Sequence, residues 1–254
     1  MSMRIRLRLM AVGVAVAACQ PALGRAAEAQ VAVAANFAEP IKAIAAVLQQ
    51  TTGHTIRVSL GPTGSFYTQI RHGAPFDVFL AADAERPAML EKEGLTQPGS
   101  RFSYATGKLV LWSSRAGRVD DRGEILKAPD LGKVSFANPK SAPYGAAAVE
   151  VMTRLGLRAL LQPRLVQGES IGQAFNFVNT GNADVGFVAL SQVLEGGQLK
   201  QGSVWMIPQA MYSPIRQDAV ILKRGANNEA AQALMDLLRS PEVRDLIRSY
   251  GYDH

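Results

Sequence analysis

Between residues 30 and 222, short runs rich in β-branched and aromatic residues alternate with segments whose apolar residues recur every three or four positions. That alternation leaves few fold classes open. Strands separated by helices pair mainly in parallel, so the body is expected to be α/β. The strands read as 30–34, 55–60, 76–81, 108–112, 133–137, 164–167, 185–190, 203–207 and 218–222. The clearest helix follows the first strand, with Phe37, Ile41, Ile44 and Leu48 on one face and Gly53 at its close. Further helices are expected around Phe66 and Ile70, up to Gly94, from Pro143 to about Leu157, over 171–178, and over 228–239 with a restart at Pro241. The stretch 113–130 reads as a charged loop. No repeat or Pro/Ser linker divides the chain, yet its strand–helix count makes two similar halves. Two α/β lobes joined by crossover strands at 108–112 and 218–222 fit this pattern. Lobe 1 is then 28–107 with 218–254, and lobe 2 is 108–217.

With 48% hydrophobic and 19% charged residues in 254, the chain is too apolar for intrinsic disorder. Its net charge of +6 falls to +2 once Arg4, Arg6, Arg8 and Arg25 are set aside with the acid-free segment 1–27. No run of Lys and Arg remains, which argues against a nucleic-acid partner. That first segment has the order of a secretory signal: basic MSMRIRLR, apolar LMAVGVAVAA, then Pro21, Gly24, Ala26 and Ala27. The apolar run is too short to span a bilayer. Cleavage near Ala26 or Ala27 would release a secreted mature chain. The runner-up is a lipoprotein box, Val16-Ala17-Ala18-Cys19, with a lipid anchor on Cys19. Cys19 is the single cysteine, so the mature body has no thiol chemistry.

One local device recurs: a strand, a small or hydroxylated residue, then a helix start. It stands at Ala34-Ala35-Asn36-Phe37, Pro62-Thr63-Gly64-Ser65, Pro143-Tyr144-Gly145 and Ser170-Ile171-Gly172. Helix starts leave backbone N–H groups unpaired and carry partial positive charge, which a buried anion satisfies. Asn36 also reads as a cap with Glu39 as its box partner, and Thr63 and Ser65 offer hydroxyl donors. Any one of these starts is explained by capping alone. Four of them, two per half, make a small-anion cleft a candidate.

Other chemistry finds less support. GPTGS lacks the Lys-Ser/Thr of a phosphate loop. His54, His72 and His254 are scattered surface residues, Asp83 reads as a loop cap beside Asp77, and Ser141 and Ser170 lack a nucleophile-elbow context. The methionines and Phe66, Phe76, Phe79, Phe136 and Phe187 read as core. No catalytic residue emerges.

The segments VAVAANFAEPIKAIA, GPTGSFYTQIRHGAPFDVFLAAD, FANPKSAPYGAAAVEVM and SIGQAFNFVNTGNADVGFVAL, with the terminal RSYGY, resemble the periplasmic molybdate-binding proteins of bacterial ABC importers. The resemblance implies a type II periplasmic-binding-protein fold whose two lobes close on molybdate or tungstate. It implies neutral donors rather than countercharges: Asn36, Thr63 with the Gly64 amide, and the backbones of Tyr144 and Ile171. These groups would meet the oxygens of the ion, not the metal itself, and no resident cofactor is implied. The implied partners are a membrane permease and its cytoplasmic ATPase, with the protein acting as a monomer. One departure is Ala189, where some relatives place a ligand-contacting tyrosine. Either that bond is lost or another group, such as the Tyr144 hydroxyl, supplies it. The alternatives are a carrier of another tetrahedral oxyanion such as sulfate, and a secreted α/β hydrolase.

Overall fold

The computed structural model describes residues 26–253. The expected targeting segment therefore lies outside the described residues apart from Ala26 and Ala27, and so do Cys19 and His254. The first strands are Glu28–Ala34 (β1), Thr55–Gly61 (β2), Val78–Leu80 (β3) and Phe102–Gly107 (β4). The next are Leu109–Ser113 (β5), Val134–Ala137 (β6), Leu165–Gly168 (β7) and Val185–Ala189 (β8). A two-strand hairpin, Leu194–Glu195 (β9) and Gln198–Leu199 (β10), precedes Ser203–Met206 (β11) and Ile215–Ile221 (β12). They build two five-stranded sheets, ordered β2-β1-β3-β12-β4 and β11-β5-β8-β6-β7. Within them β1, β2 and β3 are parallel, as are β6, β7 and β8, while β12 and β5 run antiparallel to their neighbours.

Helices Ala38–Thr52 (α1), Thr63–Arg71 (α2) and Glu85–Lys92 (α3) follow the first three strands. Pro143–Arg154 (α4), the short Arg158–Leu161 (α5), Ile171–Asn179 (α6) and Leu190–Val193 (α7) belong with the second sheet. The chain ends in Glu229–Arg239 (α8) and Pro241–Ser249 (α9). The face anticipated for α1 is the buried one: Ile41, Ile44 and Leu48 pack with Leu234, Met235 and Leu238 of α8 and with Val31 and Val33 of β1. Each such side chain stabilises the fold by about 1.5–3 kcal/mol. Through α8 and α9 the C-terminus thus returns to the first sheet. The result is an α/β fold of two lobes, each with its own sheet and core.

Three features differ from the sequence expectations. Strand β4 was not anticipated, because FSYATG offers little apolar alternation and its pairing with β12 is what makes it a strand. The expected crossover strands 108–112 and 218–222 do not cross: β5 lies wholly in the second sheet and β12 wholly in the first. The chain passes between sheets at Lys108, and again between β11 and β12. Asn36 does not cap α1. It lies inside a 3-10 turn, Ala35–Phe37, that runs into the helix, and Glu39 pairs with Lys42 instead. Among the described residues no helix is long and apolar enough to cross a membrane.

The charged loop after β5 is pinned by Asp184. Its carboxylate accepts from Arg118 at 2.6 Å, from the Gly132 amide at 3.0 Å and from Arg115. Burial alone pushes its pKa up, but the bonds from Arg118, Gly132 and Arg115 outweigh that and hold it at about 2. A depressed carboxylate adds stability that is complete above its unfolded value of about 3.9 and fades as pH falls toward about 2. Asp184→Asn should therefore cost about 2 kcal/mol near neutral pH, a drop in Tm of about 4–8 °C. In thermal melts the gap from the parent should narrow as the solution is acidified. A gap independent of pH would show that packing, not charge, holds the loop.

Candidate functional site

Parallel strands deliver their carboxyl ends to a common edge, and here the two lobes turn those edges toward each other. Strands β1, β2 and β3 end at Ala34, Gly61 and Leu80, while β6 and β7 end at Ala137 and Gly168. Between them lies a small chamber lined by 34–36, 61–63, Ala82, 142–144 and Ile171. None of these described lining residues is charged. Its volume is about 10 Å³, on a scale where one water needs about 10–15 Å³.

Four helix starts meet this chamber, and their caps are informative. The N-cap residues are Ala34, Pro62, Ala142 and Ser170. The first three have no side-chain oxygen and make no side-chain cap bond, although Ser, Thr, Asp and Asn are the residues that stabilise such positions. Ser170 does cap, accepting from the Gln173 amide at 3.2 Å, which leaves the N–H of Ile171 ahead of it. Tyr144 and Thr63 stand in the first turns of α4 and α2, where position denies the N–H an intrahelical acceptor. The arrangement offers unpaired N–H groups and helix-dipole charge to one point, in place of ordinary caps.

The anticipated residues separate four to one. Asn36, Thr63, Tyr144 and Ile171 all line the chamber. Gly64 does not; its amide donates across the cleft to the Ser141 carbonyl at 2.8 Å. Thr63, 1% exposed, accepts from the Ala82 amide through Oγ1 at 3.0 Å, so its own hydroxyl proton is left for another acceptor. Ala189 is fully buried with its amide on Gln192 Oε1 at 3.0 Å and takes no part in the lining. The Tyr144 hydroxyl accepts from Gln217 Nε2 at 3.1 Å behind the chamber.

That bond belongs to a buried network that motif reading missed. Asn36 Nδ2 donates to Gln217 Oε1 and to the Tyr252 hydroxyl, both at 2.9 Å. Its carbonyl accepts from Ser191 Oγ at 2.8 Å and from the Tyr252 hydroxyl at 2.9 Å. Ser191 sits on α7 and Tyr144 on α4, whereas Asn36 and Gln217 belong to the first lobe, so the network ties the lobes together. Burial raises the pKa of Tyr104, Tyr144 and Tyr252, and nearby phenols push the first two further. All three therefore remain neutral O–H groups at physiological pH. Of its members, the sequence marked Asn36, Tyr144 and, within RSYGY, Tyr252; Gln217 and Ser191 carried no local signal.

Comparison with known proteins gives the family. A model for bacterial extracellular solute-binding proteins matches residues 29–253. The chain is 55% identical over 252 residues to the molybdate-binding protein ModA of Azotobacter vinelandii, covering 99% of both. It is 57% identical over 229 residues to ModA of Rhodobacter capsulatus, covering 89% of this chain and 88% of the other. Among solved structures, the A. vinelandii periplasmic molybdate-binding protein superposes with a TM-score of 0.86 at 40% identity, over 89% of this chain and 99% of that one. A sulfate-binding protein, SubI of Mycobacterium tuberculosis, shares the fold at 15% identity with a TM-score of 0.72. With its two lobes and its uncharged chamber at the helix starts, this chain belongs to the bacterial extracellular solute-binding proteins, within the ModA family of transport proteins rather than among enzymes.

Proposed function

We propose that the protein captures molybdate, and equally tungstate, in the periplasm and hands it to the membrane permease of an ABC importer with its cytoplasmic ATPase. It works as a monomer and holds the ion through Asn36, Thr63 and the backbone amides of Tyr144 and Ile171. The observation that carries this reading is the chamber: four helix starts converge, three lack a side-chain cap, and no charged residue lines it among the described residues. Stripping water from a dianion is very costly unless its oxygens are fully hydrogen-bonded. Bonds to a charged partner contribute about 1.5–3 kcal/mol each, so half a dozen converging donors offset that cost.

A rigid ring of neutral donors measures oxygen spacing, whereas Lys or Arg would attract any anion. Discrimination against the smaller sulfate follows from cavity size. A chamber sized for about one water also means that the lobes part to admit a tetrahedral ion and close on it. The moving units are 28–107 with the strand returning at Ile215, against the second-sheet residues between them. Calorimetry on the mature protein should show molybdate and tungstate binding at least about a hundredfold tighter than sulfate, a gap of about 2.7 kcal/mol. Equal affinity for the three ions would overturn the reading.

A further inference from the structure

An oxyanion requires N–H or O–H groups turned toward it, yet the Asn36 carboxamide turns Nδ2 away, toward Gln217 and Tyr252. Its Oδ1 is the one buried side-chain polar atom without a partner among the described residues, on a side chain 2% exposed. Gln217, fully buried on β12, explains how this is resolved. Its Oε1 meets Asn36 Nδ2 and the Tyr104 hydroxyl, and its Nε2 meets the Tyr144 hydroxyl of the other lobe.

In that orientation the protons fall short. The Tyr104 hydroxyl has one proton facing two acceptors, the Ala81 carbonyl and Gln217 Oε1, both at 3.0 Å. A half-turn of each terminal amide exchanges nitrogen and oxygen while every other heavy atom stays in place. Gln217 Nε2 then donates to Asn36 Oδ1 and to the Tyr104 oxygen, and the Tyr104 proton goes to Ala81. Gln217 Oε1 accepts the Tyr144 proton. Asn36 Nδ2 is released to the side where Oδ1 stood unpaired. The Tyr252 hydroxyl, which loses Nδ2 as its donor, turns its one proton from the Asn36 main-chain carbonyl to Oδ1, and that carbonyl keeps its bond from Ser191 Oγ; Nδ2, the donor an anion needs, is left free.

We propose that Gln217 is a positioning residue: in the anion-loaded protein it presents Nε2 to Asn36 and Tyr104 and Oε1 to Tyr144, and so fixes Asn36 with Nδ2 toward the ion. This rests on the chamber being an oxyanion site. It also makes the orientation of one lobe's ligand group depend on the hydroxyl of the other lobe's Tyr144, so that closure and donor alignment occur together.

The test is side-chain amide NMR on the wild-type molybdate complex, with calorimetry beside it. The Gln217 Nε2 protons should show nuclear Overhauser contacts to the Tyr104 ring rather than the Tyr144 ring. Gln217→Met, similar in size but without either function, should raise the molybdate dissociation constant at least about tenfold, whatever its effect on Tm. Contacts to Tyr144 in the loaded wild-type protein would overturn the proposal, as would unchanged affinity in a folded Gln217→Met. If that variant does not fold, the wild-type spectrum decides alone. Failure of the wild-type protein to bind molybdate in calorimetry would instead remove the chamber reading, and this proposal with it.

Discussion

Asn36→Asp is expected to raise the dissociation constant for molybdate by at least about a thousandfold, about 4 kcal/mol, in calorimetric titration near neutral pH. The substitution changes almost no volume at a residue 2% exposed that lines the chamber. It replaces a donor with a group that only accepts, and sets a negative charge against a dianion. At about 4 Å and an effective dielectric near 20, one pair of like unit charges already costs about 4 kcal/mol. Burial raises the pKa of an unpaired carboxyl, and protonation both removes the charge and supplies an O–H donor. Affinity of the variant should therefore climb as pH is lowered, while its deficit is greatest in alkali. Binding within tenfold of the parent at every pH would place the ion away from Asn36.

Gly145→Ala is expected to damage both fold and binding. A methyl group at this position would lie 2.3 Å from the Ala137 carbonyl oxygen and 2.7 Å from its carbon. These are backbone atoms at the end of β6, not the tip of a flexible side chain, so the first turn of α4 must move away. Overpacking of this kind costs up to about 3 kcal/mol, a fall in Tm of about 6–12 °C. The same shift carries the Tyr144 amide and its hydroxyl out of register with the chamber. A displacement near 1 Å costs about a hundredfold where geometry is demanding. Melting curves with and without molybdate separate the two effects: the ligand-free Tm should drop, and the ligand-induced rise should nearly vanish. A variant that melts early yet keeps the full ligand-induced rise would show that the start of α4 does not hold the ion.

Much of the first lobe was legible because its elements are locally consistent. The spacing of Phe37, Ile41, Ile44 and Leu48 has one helical solution, and Gly53 closes α1 with a bond from its amide to the Gln49 carbonyl. The Pro241 restart of α9 is equally local, with Ser240 capping the Val243 amide. Strand β4 was illegible for the opposite reason, since its six residues gain strand geometry only from β12, over a hundred positions later in the chain.

The chamber divides along a similar line. Asn36, Thr63, Tyr144 and Ile171 could be named through the family resemblance, which falls on strand-to-helix turns that consecutive residues already marked as helix starts. Gly64 shares that pattern, but a carbonyl from the other lobe takes its amide. Gln217, Ser191 and Tyr252 have no such pattern, and they act through hydrogen bonds to partners 61 to 216 positions away.

From the sequence alone came the class of fold, the run of helices and strands, and the neutral character of the groups at the helix starts. These follow from periodicity and side-chain chemistry, which act over a few residues. Tertiary structure alone decided which starts share one chamber, which amides are already engaged, and which buried amides orient the donors. Those outcomes depend on proton counts and clearances between lobes, where a hydrogen bond is lost within an ångström and no short stretch of chain records the distance.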